Sequence, residues 1–338
     1  MAGKRKARGK AGAASVRSGS FAVLYDASGT DQEIDLSAIA PVPDDKDRLL
    51  WVDLDLLHDA GLQRTAAPLG ISDDALRRLA DNRRSLYLDN YGPYFTLSIS
   101  LPSPHSRKSG RVAFVVGTSW LLTLHDREPV PFLIAFRAQD KADTHIGRLT
   151  PRLLLAALLD WHLGGYFDEV SRIEERADQL DEGILKRELA DDVMRQMLTL
   201  RREISALRRH LADQRQVFYG LSRPDIALEG DAAETREFTQ IAVRLDRAVD
   251  EVERTRDVLL GSFDLFTSLA SHDTNALVRV LTFVTVVIGI SGAVAGLLGM
   301  NFVMPLFESG TAGFATVSGS LIALSGAALF VARRRKWL

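Results

Sequence analysis

The chain of 338 residues contains no cysteine. That excludes disulfides, thiolate zinc sites and thiol nucleophiles. Proline is absent between Pro224 and Pro305, so no ring interrupts a helix over that stretch. Charge is nearly absent from Val280 to Ala332, where Glu308 is the one ionisable acid or base. No Gly-x-x-x-x-Gly-Lys-Ser/Thr loop is present, which removes the usual phosphate cradle of an ATP-driven machine. The balance of 42 basic against 44 acidic residues gives a formal net charge of −2, so bulk electrostatics does not indicate nucleic acid. Neither a nucleophile–base pairing nor a metal-ligand spacing stands out, and the expectation is a protein that is not an enzyme and carries no cofactor.

What is there is asymmetric. The first 275 or so residues are charged, and most of the remainder is apolar. The stretch from Val280 to Ala332 is long enough for two membrane-spanning helices joined by a tight turn. The first ends in Gly299-Met300-Asn301, followed by Phe302-Val303-Met304-Pro305. A polar Asn beside an almost uncharged turn suggests a pore mouth; the alternative for Asn301 is a helix C-cap next to Gly299. The turn lacks Lys and Arg, whereas Arg333-Arg334-Arg335-Lys336 follows the second span, so both termini are expected on the cytoplasmic side of a plasma (inner) membrane. The N-terminus carries Lys4, Arg5, Lys6, Arg8, Lys10 and Arg17 with no apolar run behind them. That pattern is not a secretory signal, and a disordered basic tail is favoured over a transit peptide.

The expected layout is an α+β head, a long helical hairpin with a stalk helix, and two C-terminal transmembrane helices. The divisions are 1–20 basic tail, 21–165 α/β head, 166–229 hairpin, 230–300 stalk and first span, 301–312 external turn, 313–332 second span and 333–338 basic tail. Strand-type runs lie at Ala22–Tyr25, Leu49–Asp53, Tyr94–Ser100, Arg111–Val116 and Trp120–His125. Gly117-Thr118-Ser119 predicts a hairpin between the last two. Ser72 is placed to cap a helix to Ala80, and Pro151 to open one that runs to about Leu163. Phe167–Gln216 reads as one amphipathic stretch with a break near Gly183, whose runs Glu174-Glu175-Arg176 and Arg201-Arg202-Glu203 suit pairing along a surface helix. From Asp231 an apolar stripe of coiled-coil type passes through Ile241, Leu245, Val249, Val252, Leu259, Phe263 and Phe266. About 68 residues of unbroken helix measure roughly 100 Å, and a rod of that length needs partners to bury its stripe. Asn275, Val278, Leu281 and Thr285 fall near one helical face. Gly289, Gly292, Gly296 and Gly299 recur at steps of three or four, fitting either close helix packing or a wide pore.

Asn275-Ala276-Leu277-Val278-Arg279-Val280-Leu281-Thr282, Gly299-Met300-Asn301-Phe302 and Met304-Pro305 together resemble the CorA family of divalent-cation channels, over roughly residues 20–338. The resemblance implies a homo-oligomeric funnel, a homopentamer, whose first spans line the pore and whose second spans ring them in the lipid membrane. It implies a filter of Gly299, Met300 and Asn301, a polar pore residue at Asn275, and a hydrophobic constriction at Val278 and Leu281; Thr285 joins this pore and gate set by its place on the same helical face. Mg²⁺ is then both the transported and the regulatory ion, with Co²⁺ and Ni²⁺ as further cargo. By the same resemblance Asp264 matches the stalk member of a metal-sensing acid pair, the alternatives being Asp250 or Asp257 in that role or a solvated stalk face. Glu308, two residues past the usual acid position, is read either as negative potential at the mouth or as a solvated residue.

Three departures stand out. Val278 replaces the usual Met. Leu306 follows Met304-Pro305 where an acid is typical. Ser100-Leu101-Pro102-Ser103 offers no carboxylate partner for Asp264. Two other readings compete with the magnesium channel: a proton-coupled Zn²⁺ transporter like the ZntB branch, and a membrane-tethered scaffold that transports nothing.

Overall fold

The computed structural model describes residues 20–28, 31–40, 47–55, 61–81, 86–101, 110–126, 130–139, 146–186, 190–227, 231–300 and 310–334. Two compact units result, Met1–Leu260 and Gly261–Leu338. The architecture is the α+β head, long helices and two C-terminal apolar helices expected from the sequence.

The head is built on a mixed sheet of strands β1 (Phe21–Asp26), β2 (Gln32–Glu33), β3 (Arg48–Asp55), β4 (Leu88–Asn90), β5 (Phe95–Ser100), β6 (Arg111–Val116) and β7 (Trp120–His125), ordered β2-β1-β3-β7-β6-β5-β4. Only β3 and β7 run parallel, with Leu50 opposite Trp120 and Asp55 opposite His125. β6 and β7 form the expected hairpin, closed by a bond from Gly117 N–H to the Trp120 carbonyl at 2.9 Å. The sheet is covered on both faces, so even Asp53 and Asp55 of β3 and Thr123 and His125 of β7 are buried. Leu50, Val52, Leu54, Leu122 and Leu124 pack with Ala66, Ala75 and Leu79 from helices α1 (Leu62–Ala66) and α2 (Asp73–Ala80). Each such fully buried aliphatic side chain contributes about 1.5–3 kcal/mol. Ser72 caps α2 by accepting from Ala75 N–H, and Asp73 and Asp74 face the positive helix end.

The opposite face carries Trp51, whose ring meets Phe136 of α3 (Pro131–Gln139) edge-on at 5.8 Å. Beside it is a buried polar cluster. The Thr123 hydroxyl donates to Asp53 Oδ1 and accepts from Trp51 Nε1 at 3.2 Å. His125 Nε2 donates to Asp53 Oδ2 at 3.3 Å, since a carboxylate only accepts.

Helix α4 (Pro151–Leu185) packs antiparallel against α5 (Ala190–Gly220), and a short α6 (Pro224–Ala227) leads to α7 (Ala232–Leu298). Thr150 caps α4 with Pro151 at its first position. The sequence stops this helix near Leu163, yet it continues through Gly164-Gly165 to Leu185, because Leu163 and Tyr166 on either side are fully buried. Each glycine costs about 1 kcal/mol in a helix, less than those contacts return.

The stalk charges also differ from a solvated face. Glu203 is only 2% exposed and accepts from Arg176 of α4, while Thr255 of α7 donates to Glu174 at 2.7 Å. These bonds cross between helices, so the i,i+4 reading of the runs fails for them. The apolar stripe of α7 is covered at Ile241, Leu245 and Val252 and opens at Phe263.

Candidate functional site

The second unit consists of the C-terminal part of α7 and helix α8 (Thr311–Arg334). Both are long and apolar enough to cross a membrane, and their apolar windows are not buried among the described residues. A helix from the core of a soluble protein would be covered. These surfaces are open, as lipid- or partner-facing helices of a single protomer must be. Leu277, Leu281, Ile288, Phe314, Ile322 and Phe330 are each more than 60% exposed.

The regular helix fixes the relative directions of the candidate residues. Asn275, Val278, Leu281 and Thr285 follow one another at steps of three or four and are all exposed. Val278 is 55% and Leu281 67% exposed, so the apolar pair of the expected constriction has no cover from its own chain. The hydroxyls on this segment fold back on the helix. Thr282 Oγ1 donates to the Val278 carbonyl and Thr285 Oγ1 to the Leu281 carbonyl, both at 2.8 Å.

Helix α7 ends by tightening. Gly299 N–H still bonds the Ala295 carbonyl at 3.0 Å, while Met300 N–H reaches only three residues back, to Leu297, at 3.3 Å. Met300 is 52% exposed. Asn301 and Glu308 lie outside the described residues. At Gly289, Gly292 and Gly296 a Cβ would meet no atom within 4 Å, so the protomer itself supplies no packing partner for the glycine stripe.

Asp264 is exposed, and its carbonyl accepts from Thr267 Oγ1 at 3.0 Å. His272 and Asp273 approach to 3.8 Å on an exposed helix face. Among the described residues no group of three His, Asp or Glu converges as a metal cage.

Sequence reasoning missed the buried polar cluster of Asp53, Thr123 and His125. Its signal was present: polar residues at alternate positions of two otherwise apolar strands.

The family described as CorA-like Mg2+ transporter protein matches residues 46–334. The cobalt/magnesium transport protein CorA of Thermotoga maritima is 30% identical over 149 residues, which is 44% of this chain and 42% of that protein. The match thus spans less than half the length of that relative. The complete structure of the CorA magnesium transporter from Methanocaldococcus jannaschii superposes with a TM-score of 0.75 at 20% identity, covering 94% of this chain and 98% of that one. The cytoplasmic domain of ZntB from Vibrio parahaemolyticus gives a TM-score of 0.59 at 12% identity, covering 75% of this chain. Both structural likenesses are of fold.

Proposed function

Because the chain belongs to the CorA-like Mg2+ transporter family, we propose that it is a membrane channel for Mg²⁺. The observation that carries the reading is the family match across residues 46–334, which takes in the head from β3 onward, the hairpin and both uncovered apolar helices. Two spans cannot enclose a path, so the conducting unit is a homo-oligomer, in this reading a pentamer. Both termini lie in the cytoplasm and the Asn301 turn faces out across the plasma (inner) membrane.

Asn301 is the first group an entering ion meets. Mg²⁺ sheds water reluctantly and prefers octahedral oxygen. A ring of neutral amide oxygens accepts hydrogen bonds from its water shell without stripping it, and releases it more readily than carboxylates would. Gly299 and Met300 place that ring at the helix end, and Glu308 adds negative potential nearby. Deeper in, Asn275 is a polar station, and Val278 with Leu281 forms a dry constriction that closes by excluding water. A divalent ion gains about 4.6 kcal/mol per 100 mV of membrane potential, so inward flow needs no ATP. Co²⁺ and Ni²⁺, octahedral ions of similar charge, share the path. Mg²⁺ binding near Asp264 on the cytoplasmic side holds the assembly closed. The domain divisions expected from the sequence serve here as head, stalk and pore.

Flux into proteoliposomes tests this, with a Mg²⁺ dye and a pH dye read in parallel for the intact chain and Asn301→Ala. Mg²⁺ entry that the substitution abolishes, without proton movement, is the expected result. Zn²⁺ entry tied to protons would move the chain to the ZntB-like reading. That reading is disfavoured by the lack of any acid or His in Val280–Leu298 and Thr311–Ala332. Silence for every ion would leave the scaffold.

A further inference from the structure

The stripe that carries Val278, Leu281 and Thr285 does not stop there. Gly289, Gly292, Gly296 and Gly299 continue it at steps of three or four along the same unbroken helix. At about 100° per residue all seven stay on one face. The glycine stretch and the constriction therefore point the same way, and the glycines contribute no side chain to it. Thr285 is the one polar side chain in this stripe between Leu281 and the helix end.

The Thr285 hydroxyl has a single proton, and it is donated to the Leu281 carbonyl at 2.8 Å. The exposed side of the oxygen is left with lone pairs only. A hydrated divalent cation presents the opposite chemistry. Its first-shell waters bind the metal through oxygen and turn strongly polarised hydrogens outward. A group that only accepts is matched to that surface; a hydroxyl free to rotate would offer its proton part of the time.

Resting on the pore reading above, we infer that Thr285 is a specificity-determining residue, whose hydroxyl oxygens accept from the water shell of a hydrated divalent ion between the Asn301 turn and the Leu281 constriction. Thr282, with its proton committed to Val278 at 2.8 Å, sits at the flank of the same face.

Full-length protein in proteoliposomes tests the assignment. Thr285→Val keeps the shape and removes the oxygen; Thr285→Ser keeps the oxygen and removes a methyl. Mg²⁺ entry should fall about tenfold in the first and stay within about twofold of native in the second. Native flux in Thr285→Val, or an equal fall in both variants, overturns the inference. If Val disturbs assembly, Thr285→Ala against Thr285→Ser gives the same comparison. The absence of native cysteine allows a separate check on the premise. Val278→Cys is treated with a membrane-impermeant cationic thiol reagent. Block of flux together with a normal Thr285→Val leaves the pore reading standing and this inference lost; no block removes both.

Discussion

His162 Nε2 lies 2.9 Å from Gln214 Oε1, and both side chains are buried between α4 and α5. Gln214 also donates to the Tyr166 hydroxyl at 2.9 Å, and Tyr166 in turn reaches the Ser100 carbonyl of β5 at 3.4 Å. Burial pushes the His162 pKa down to about 4, although the Gln214 hydrogen bond acts the other way. The imidazole is thus neutral in the folded head at physiological pH. The unfolded chain takes up the proton near pH 6.5 and the folded chain only near pH 4. Stability from this residue is fully present above pH 6.5 and is lost as pH falls toward 4, by an amount on the order of 3 kcal/mol. His162→Gln should flatten that part of the pH dependence, in urea unfolding followed by the fluorescence of the adjacent Trp161. An unchanged slope would count against the assignment.

Asp53 accepts from two side chains in a covered site. Asp53→Ala takes one buried carboxylate acceptor from the His125 ring and from the Thr123 hydroxyl, which is left to donate only to the Val52 carbonyl at 3.3 Å, and should cost about 2–4 kcal/mol of head stability. Asp53→Asn keeps the shape and one acceptor oxygen and should cost less. Thermal unfolding of the two variants side by side gives the order, and the reverse order would contradict the hydrogen-bonding account.

Gly147 is fixed by contact rather than by backbone conformation. A Cβ there would sit 2.7 Å from the Ala27 nitrogen and 2.8 Å from the Asp26 carbonyl carbon, both main-chain atoms at the end of β1. Gly147→Ala should therefore destabilise the head by about 1–3 kcal/mol. Denaturant midpoints with an unchanged slope are the measurement.

At the constriction, Leu281→Asn replaces an apolar ring by one that holds water. Resting Mg²⁺ leak into proteoliposomes should rise about tenfold, with little change for Leu281→Met. Equal leak in all three proteins would place the barrier elsewhere.

Much of this was legible in the residues themselves. β6 and β7 fall where the β-branched and aromatic runs lie, and the cap at Ser72 and the opening proline Pro151 mark true helix starts. β2 and β4 were not visible. They are two and three residues long, and Gln32-Glu33 is exposed, so main-chain pairing alone defines them. The cross-helix bonds of Glu203 and Glu174 escaped notice because one-dimensional spacing detects partners along a helix, never on the next one. The face shared by Val278, Leu281 and Thr285 could be read in advance because a helix without proline keeps its phase. In the channel reading, what covers that face belongs to other copies of the chain, and a sequence carries no coordinate for them.

The parallel seam at the centre of the head sets an order of events during synthesis. Thr123 is 70 residues beyond its partner Asp53. At about 5–20 residues per second, the ribosome needs roughly 4–14 s to deliver the second strand after the first. Throughout that interval β3 offers the cell an unpaired edge and half of a polar cluster. The gap closes when β7 emerges, well before Val280 and the first greasy segment are made. The nascent chain therefore has time to fold its head before it has to engage the membrane-insertion machinery.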